Sequence, residues 1–310
     1  MTTSNNICLY ANGLFGRNDD KVNAAQCAAL QESGFTTVII WALHVNQQGN
    51  LQFADDPVVR DGVLSSQYLY MGNWINKLKS SGSVNRVLIS LGGWGVGDFS
   101  NMTHLLKTTQ GKHELTQNFQ AMVTALPIDG FDFDMEEWDN PGITNKEYVN
   151  TIATLTSMLS GMGGGMTITY CPYNHQAHWL TALEQVYAKA NGRQLVSAYN
   201  LQCYAGGTGN EPSAWAETLQ SAKTTTGISA PAAFIIPGFG CYNAADSSGL
   251  CPSDVQTTFA QLANSTPGIT GGFIWNSGNI FSSENSNGCN GSPMTASAYA
   301  TAMGKGLNDG

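Results

Sequence analysis

Hydrophobic residues recur along the chain in short, strand-like runs separated by amphipathic segments. Successive runs begin roughly 30 to 50 residues apart for the most part, the spacing of βα units. Eight runs are predicted: Ile7–Ala11, Thr36–His44, Asn85–Gly92, Asp129–Glu136, Met166–Cys171, Leu195–Tyr204, Ala232–Pro237 and Thr270–Asn276. Helix-like stretches between them include Val22–Ser33, Glu114–Leu126, Tyr148–Leu159 and Val255–Ala263. Alternating strands and helices predict a parallel sheet, and eight repeats predict its closure into a (β/α)₈ barrel.

The pattern also indicates one domain over residues 1–310, because no linker or change of composition divides the chain. The segment Ser282–Pro293 is rich in Asn, Gly and Ser, but it precedes a last predicted helix, Thr295–Lys305, and is interpreted as a loop. In such a barrel the chemistry lies at the carboxyl ends of the strands.

Composition narrows the choice of partners. Charged residues make up only 11% of the sequence, and the net charge is −9, which argues against nucleic acid and anionic membrane surfaces as partners. No apolar run approaches the roughly 20 residues that cross a bilayer. We therefore expect a neutral substrate, and a monomer.

Seven cysteines are present, an odd number, so they cannot all pair within the chain. Cys241 and Cys251 bracket a Ser/Gly-rich loop and are candidates for a disulfide, while burial as small apolar side chains is an equal alternative. The first residues, Met1–Asn6, lack the basic and apolar regions of a signal peptide. The expected location is nevertheless extracellular.

The fourth run carries the most distinctive chemistry. Side chains alternate faces along a strand, so Asp132, Asp134 and Glu136 share one face, and Phe131, Phe133 and Met135 share the other. The apolar face must pack on the helices, which directs three carboxylates into the barrel. Crowded, buried carboxylates raise one another's pKa, as a general acid at neutral pH requires.

Two other interpretations of this strand remain open: a solvated edge strand, and a divalent-cation site at Asp132 and Asp134 like that of many sugar-nucleotide transferases. The three-residue spacing of His175 and His178 is too little for a zinc site without a third ligand. We predict neither a metal nor another cofactor.

The motifs resemble those of glycoside hydrolase family 18, the chitinases and their relatives. The family's Asp-x-x-Asp-x-Asp-x-Glu signature is matched by Asp129, Asp132, Asp134 and Glu136, and its Ser-x-Gly-Gly by Ser90–Gly93. Its sixth-strand tyrosine is matched by Tyr204 in Gln202-Cys203-Tyr204, and its eighth-strand tryptophan by Trp275. One departure is Ala205, where the family usually has Asp or Asn after the tyrosine.

The resemblance implies substrate-assisted retaining catalysis, in which the 2-acetamido oxygen of the substrate is the nucleophile. Glu136 is then the proton donor, and Asp134 holds the acetamido group and stabilises the oxazolinium ion. Asp132 shares a proton with Asp134, and Tyr204 donates a hydrogen bond to the acetamido oxygen.

The residues expected to bind substrate are Trp275, as an apolar floor, with Gln202, Tyr10, Gly93 and Trp94. Other aromatic side chains expected near strand ends, where they could stack on sugars, are Trp41, His44 and Trp138. For Trp275 and Tyr204 a packing role within the barrel is the alternative.

The leading functional prediction is an endo-acting chitinase that cleaves β-1,4 linkages between N-acetylglucosamine residues. The first alternative is an endo-β-N-acetylglucosaminidase that cuts the chitobiose core of N-glycans. Ala205 slightly favours this alternative. The second is a chitinase-like lectin, which the presence of Glu136 disfavours, since such proteins typically lose the terminal glutamate.

Overall fold

Eight parallel strands form a closed ring at the centre of the molecule. The computed structural model describes residues 5–309. The barrel strands are β1 (Asn6–Asn12), β2 (Thr37–Val45), β6 (Arg86–Gly92), β7 (Gly130–Asp134), β8 (Thr167–Tyr170), β9 (Val196–Gln202), β10 (Ile235–Gly240) and β11 (Gly271–Trp275). Each pairs in parallel with its neighbours, and β1 pairs with both β11 and β2, which closes the ring. The predicted (β/α)₈ barrel is confirmed.

Helices surround the barrel. They are α1 (Asp20–Gln31), α2 (Leu69–Ser80), α3 (Asp98–Leu106), α4 (Thr109–Ala125), α5 (Asn145–Ser160), α6 (Gln176–Lys189), α7 (Pro212–Ser221), α8 (Lys223–Thr226), α9 (Pro231–Phe234), α10 (Pro252–Ser265), α11 (Ser277–Ser283) and α12 (Ala296–Asp309). Short 3₁₀ turns occur at Ser66–Tyr68, Met162–Gly164, Ala205–Gly207 and Cys289–Gly291. Within residues 5–309, no helix has both the length and the hydrophobicity needed to cross a membrane.

The alternation of side chains along the strands builds two hydrophobic layers. On β7, Phe131 and Phe133 point outward and join the large core between sheet and helices. Their rings pack edge-on against Phe119 of α4 and Phe99 of α3, with centroids 5.5 and 6.0 Å apart. Inside the barrel a smaller cluster includes Tyr10. The opposite face of β7 is thereby left to the carboxylates.

The strand bounds differ from the predictions mainly at the carboxyl ends. The fourth predicted strand was extended to Glu136, but β7 ends at Asp134, where its pairing with Gly92 of β6 ends. Likewise Tyr204 lies beyond the end of β9. Both side chains therefore stand on loops above the barrel rim. The seventh strand was predicted too early, because residues 231–234 form a helical turn that begins at Pro231.

One insertion was not predicted. Between β2 and α2 the chain forms three short antiparallel strands, β3 (Leu51–Phe53), β4 (Asp56–Arg60) and β5 (Val63–Leu64). β3 pairs with the end of β2 and so extends the sheet beyond the barrel at its carboxyl-end rim. Strands of two to five residues leave too short an alternation for the sequence pattern to reveal.

Of the two alternatives left open for Cys241 and Cys251, the disulfide between them is wrong. Cys251 pairs with Cys289, across 38 residues of sequence, and not with Cys241. Cys241 is buried, and its Sγ lies 3.3 Å from the Asn276 carbonyl oxygen as a weak hydrogen-bond donor. The segment 282–293, interpreted as a loop, is thus covalently joined to the start of α10.

Candidate active site

Asp132 lies at the bottom of the site, completely buried within the barrel. The strand register places Ser90 of β6 and Thr169 of β8 on either side of it. Tyr10 OH and the Ser90 hydroxyl approach its Oδ2, at 2.8 and 3.2 Å. Thr169 Oγ1 and Asn200 Nδ2 approach its Oδ1, at 2.6 and 2.8 Å. Burial raises the pKa of Asp132, while these four hydrogen bonds act in the opposite direction.

Asp134 and Glu136 form a coupled pair one level higher. Gln202 Nε2 donates to both, at 3.0 Å from Asp134 Oδ1 and 3.1 Å from Glu136 Oε1. Trp41 Nε1 donates to Asp134 Oδ2 at 3.0 Å. Burial raises the pKa of both, and for Asp134 the charge of Glu136 raises it further. The described contacts include no hydrogen bond between Asp134 and Asp132, the arrangement that the resemblance implied.

A cavity of about 440 Å³ opens above this pair. Its lining residues are Trp41, Trp94, Asp134, Glu136, Tyr173, Gln202, Tyr204, Ala205, Gly206 and Trp275. The Tyr204 and Trp275 rings are stacked, with centroids 6.0 Å apart, and the Trp41 ring meets Trp275 edge-on at 4.9 Å. Trp94 stands at the rim with 81% of its surface exposed. Aromatic rings beside two carboxyl groups in one cavity lining suit a sugar ring, whose faces are apolar.

Not every predicted site residue lies in this cavity. Tyr10 is fully buried beneath it and supports Asp132, so the expected contact with substrate is not found. Gly93 also lies outside the lining: a Cβ on it would come within 2.9 Å of the Trp41 ring. Gly93 therefore makes room for Trp41. Trp138 was expected near the mouth but is buried against Tyr148 and Trp179.

The first aspartate of the signature lies at the opposite end of the strand. Asp129 precedes β7, where it accepts hydrogen bonds from Lys79 Nζ at 2.9 Å and from the Val87 amide at 2.7 Å. These contacts join α2, β6 and β7 at the amino-terminal end of the barrel. Its role in this structure is therefore to hold elements together, away from the cavity.

Sequence reasoning missed Glu137. This buried carboxylate follows Glu136 and accepts the backbone amides of Phe99 and Ser100, at 2.8 and 2.9 Å. It thereby fastens the loop after β7 to the amino terminus of α3. The sequence does not indicate this role for Glu137, because its hydrogen-bond partners are nearly 40 residues away in the chain. Trp41 was singled out only as an aromatic side chain, and its hydrogen bond to Asp134 depends on the folded geometry.

Among residues 5–309, no group of three or more His, Cys, Asp and Glu side chains is arranged to hold a metal ion. His175 lies 3.4 Å from Asp139, and Asn145 contacts His178 at 3.0 Å. Both histidines therefore contact polar side chains near the loop that follows Glu136.

A parallel barrel with paired carboxyl groups at the carboxyl ends of its strands, beneath an aromatic-walled cavity, is the architecture of a barrel glycoside hydrolase. The model of the family "Glycosyl hydrolases family 18" matches residues 7–247. The chain therefore belongs to glycosyl hydrolase family 18, and it is a glycoside hydrolase.

Solved structures of the same fold cover nearly the whole chain at low identity. A chitinase from Bacteroides thetaiotaomicron is 15% identical, with a TM-score of 0.63 over 99% of this chain and 97% of its own. A fungal endo-β-N-acetylglucosaminidase of family 18 is 18% identical, with a TM-score of 0.61 over 99% and 98%. A family 18 chitinase from Cycas revoluta, solved with allosamidin, is 14% identical, with a TM-score of 0.58 over 96% and 99%. A comparison with curated protein sequences found no match.

Proposed function

We propose that this protein is a retaining endo-glycosidase that cleaves β-1,4 linkages between N-acetylglucosamine residues by substrate-assisted catalysis. The carrying observation is the arrangement of the two carboxyl groups in the cavity. Asp134 and Glu136 both accept a hydrogen bond from the Gln202 amide, so they lie side by side in the cavity lining.

This arrangement bears directly on the nucleophile. Ordinary retaining glycosidases place two carboxyl groups about 5–5.5 Å apart, on either side of the anomeric carbon. Because one Gln202 amide nitrogen reaches both, Asp134 and Glu136 lie next to each other and not on opposite sides of a sugar carbon. The lining of the cavity supplies no other carboxylate. The nucleophile then comes from the substrate, and a 2-acetamido oxygen meets this need.

The remaining roles follow from position. Glu136 is half-buried, and burial raises its pKa, which favours a carboxylic acid that protonates the leaving oxygen. Asp134 lies beneath it and stabilises the positive charge of the oxazolinium ion. Tyr204 faces the cavity, and burial keeps the pKa of its phenol well above the ordinary value, so it remains a hydrogen-bond donor. Trp275 provides the floor.

Two substrate classes fit this chemistry. Chitin oligomers are the first, since (GlcNAc)₄ is bound by a Cycas revoluta chitinase variant of the same fold. The chitobiose core of N-glycans is the second. It is favoured by the cavity wall beside Tyr204, where Ala205 and Gly206 present no polar side chain.

The experiment that separates them is incubation with chitin oligomers and with a high-mannose glycoprotein, followed by mass spectrometry of the products. Products from either substrate support substrate-assisted cleavage and identify the class. Glucose polymers should be inert, and a thiazoline analogue should inhibit competitively. Binding of oligomers without any cleavage would instead identify a lectin. Cleavage of cellulose at a comparable rate would contradict the mechanism.

Glu136→Gln provides the test of the proton donor. We expect the fold and oligosaccharide binding to be retained and kcat to fall at least about a hundredfold, the usual scale for a lost general acid. Turnover should be the same with and without EDTA, because the proposed mechanism requires no cation. A variant that keeps more than about a tenth of the wild-type rate removes Glu136 from this role.

A further inference from the structure

The hydrogen bonds to the carboxyl pair are unequal. Gln202 Nε2 lies 3.0 Å from Asp134 Oδ1 and 3.1 Å from Glu136 Oε1, so it scarcely distinguishes the two. Trp41 Nε1 donates to Asp134 Oδ2 at 3.0 Å, and the described contacts include none from it to Glu136. Trp41 is therefore the donor that makes the two carboxyl groups different.

The indole of Trp41 is held in place from three sides. The indole ring contacts the Trp275 ring edge-on, with ring centroids 4.9 Å apart and ring planes at 89°. Gly93 lies beneath it, where even a Cβ would come within 2.9 Å of the ring. Its position on β2, which ends at the cavity rim, aims the N–H group at the buried face of Asp134. A side chain that served only to line the cavity would not need its N–H to point at Asp134.

We propose that Trp41 is a positioning residue that stabilises the anionic form of Asp134, so that the proton shared by the pair resides on Glu136. The consequence for turnover rests on the proposed function, since it concerns the group that protonates the leaving oxygen. A hydrogen bond donated to a carboxylate favours the charged form. Because the pair titrates as a unit, a bond to one member directs the proton to the other.

Among the influences on the pKa of Asp134, the hydrogen bond from Trp41 is the one that favours its anionic form. Burial raises the pKa of Asp134, followed by the charges of Glu136 and Asp132, and the hydrogen bond from Trp41 lowers it. The other titratable groups that face the pair are Tyr10, Asp132, Cys171, Tyr173 and Tyr204. Burial raises the pKa of each tyrosine and of the thiol, which leaves them neutral near pH 7. His44, also on β2, is engaged with Asp98 at 2.8 Å.

Trp41→Phe tests the proposal, because it removes the N–H and keeps an aromatic ring. Removing a donor to an anion raises its pKa, by about one unit for one charge-assisted hydrogen bond, so the limbs of the pH profile of kcat/KM should move to higher pH by about one unit in total, chiefly the acidic limb. At the optimum kcat should fall by up to about tenfold, because the proton spends less time on Glu136. If Trp41 only contacts sugar, KM rises and the limbs stay where they are.

Trp94→Phe is the matched control, because Trp94 lines the same cavity and is not among the ring contacts that hold Trp41. It removes an indole N–H from the same cavity, but the described contacts give that group no hydrogen bond to either carboxyl. We expect this variant to raise KM without moving the limbs. An equal shift in both variants overturns the proposal, since a general change in the cavity would then explain the effect.

A second measurement separates this inference from the proposed function. Carbon-13 NMR titration of the Asp134 and Glu136 carboxyl groups requires no turnover, and it should show the Asp134 resonance titrating at higher pH in the variant. Replacement of Trp41 by 3-benzothienylalanine, in which sulfur takes the place of the N–H, should give the same shift if Trp41→Phe fails to fold. Unshifted titrations overturn the role of Trp41 even in an active enzyme. An inactive wild type with shifted titrations overturns only the proposed function.

Discussion

At the scale of single residues, the Asp-x-x-Asp-x-Asp-x-Glu motif has two separate roles, and which role an acidic residue has depends on its position along the strand. Asp132 lies inside the barrel below the cavity and Asp134 lines the cavity, whereas Asp129 contacts Lys79 and the Val87 amide at the far end. Asp129 is three residues, about 10 Å of strand, from Asp132, and it lies outside the cavity that Asp134 and Glu136 line.

Asp129→Asn should therefore reduce stability and leave catalysis intact. The substitution removes the ion pair with Lys79 but keeps an oxygen that can accept the Val87 amide. We expect the free energy of unfolding to fall by about 1 kcal/mol, the scale of a partly exposed ion pair. Urea denaturation with an assay of kcat measures both quantities.

Asp132→Asn is the comparison, since it makes the same chemical change on the same strand. It places an amide NH₂ among four groups that now serve Asp132 as donors, and it should lower kcat and shift the pH profile. A large loss of kcat in Asp129→Asn, with unchanged stability, would show that the division by position along the strand is mistaken.

The sequence could predict which carboxylates face inward, because Phe131 and Phe133 alternate with Asp132 and Asp134 at the period of a strand. It could not predict the partners. Trp41 is 93 residues from Asp134, and Tyr10 is 122 residues from Asp132. Contacts of this range depend on barrel closure and register, which the local pattern does not encode. For the same reason Tyr10 was predicted to touch substrate when it supports Asp132.

At the scale of elements, the amino terminus of α3 is capped by another part of the chain. Its own N-cap residue, Gly97, makes no side-chain hydrogen bond, and Glu137 supplies the acceptor from the loop after β7. A carboxylate at this position also interacts favourably with the helix dipole. The helix and the loop that carries Glu136 are therefore fixed to each other.

Glu137→Gln should weaken both the start of α3 and the loop that carries Glu136. The amide cannot accept from Phe99 and Ser100 with two oxygens, which leaves a buried backbone N–H without its partner, at about 1–3 kcal/mol of stability. A loosened loop exposes Glu136 to water, and relief of burial lowers its raised pKa. The alkaline limb of kcat/KM should then move to lower pH, opposite to the shift expected for Trp41→Phe.

Glu147→Gln is the control, since Glu147 closes a capping box with Thr144 at the start of α5 but lies at the surface. We expect a smaller loss of thermal stability and an unmoved alkaline limb. If both variants move the limb equally, Glu137 acts only through general stability.

At the scale of the whole molecule, repetition made the barrel predictable. Each unit is a short apolar run followed by an amphipathic segment, so errors of one to three residues at individual ends did not alter the number of barrel strands. The features that break the repetition were missed: the β3–β5 insertion and the disulfide. Cys241 and Cys251 are close in sequence, but proximity along the chain does not place their Cβ atoms together.

The Cys251–Cys289 disulfide makes a prediction about the whole chain, because it joins the start of α10 to the segment before α12. α10 and α12 pack on each other beside the β11–β1 closure of the barrel. A crosslink that closes a 38-residue loop restricts the unfolded chain, an effect of about 4 kcal/mol in the loop-entropy model and typically about 2–4 kcal/mol in practice. The double variant Cys251→Ser/Cys289→Ser should lose that much stability.

Urea denaturation provides the measurement, with the midpoint and the m-value as readouts. The m-value should rise, because an unfolded chain without the crosslink exposes more surface. Wild-type protein in dithiothreitol should denature like the double variant, while the variant itself should be indifferent to the reductant. At 25 °C and without urea, kcat should be unchanged, since neither cysteine lines the cavity above Glu136. If reduction leaves the wild-type midpoint in place, the noncovalent packing of α10 and α12 alone holds this part of the barrel closed.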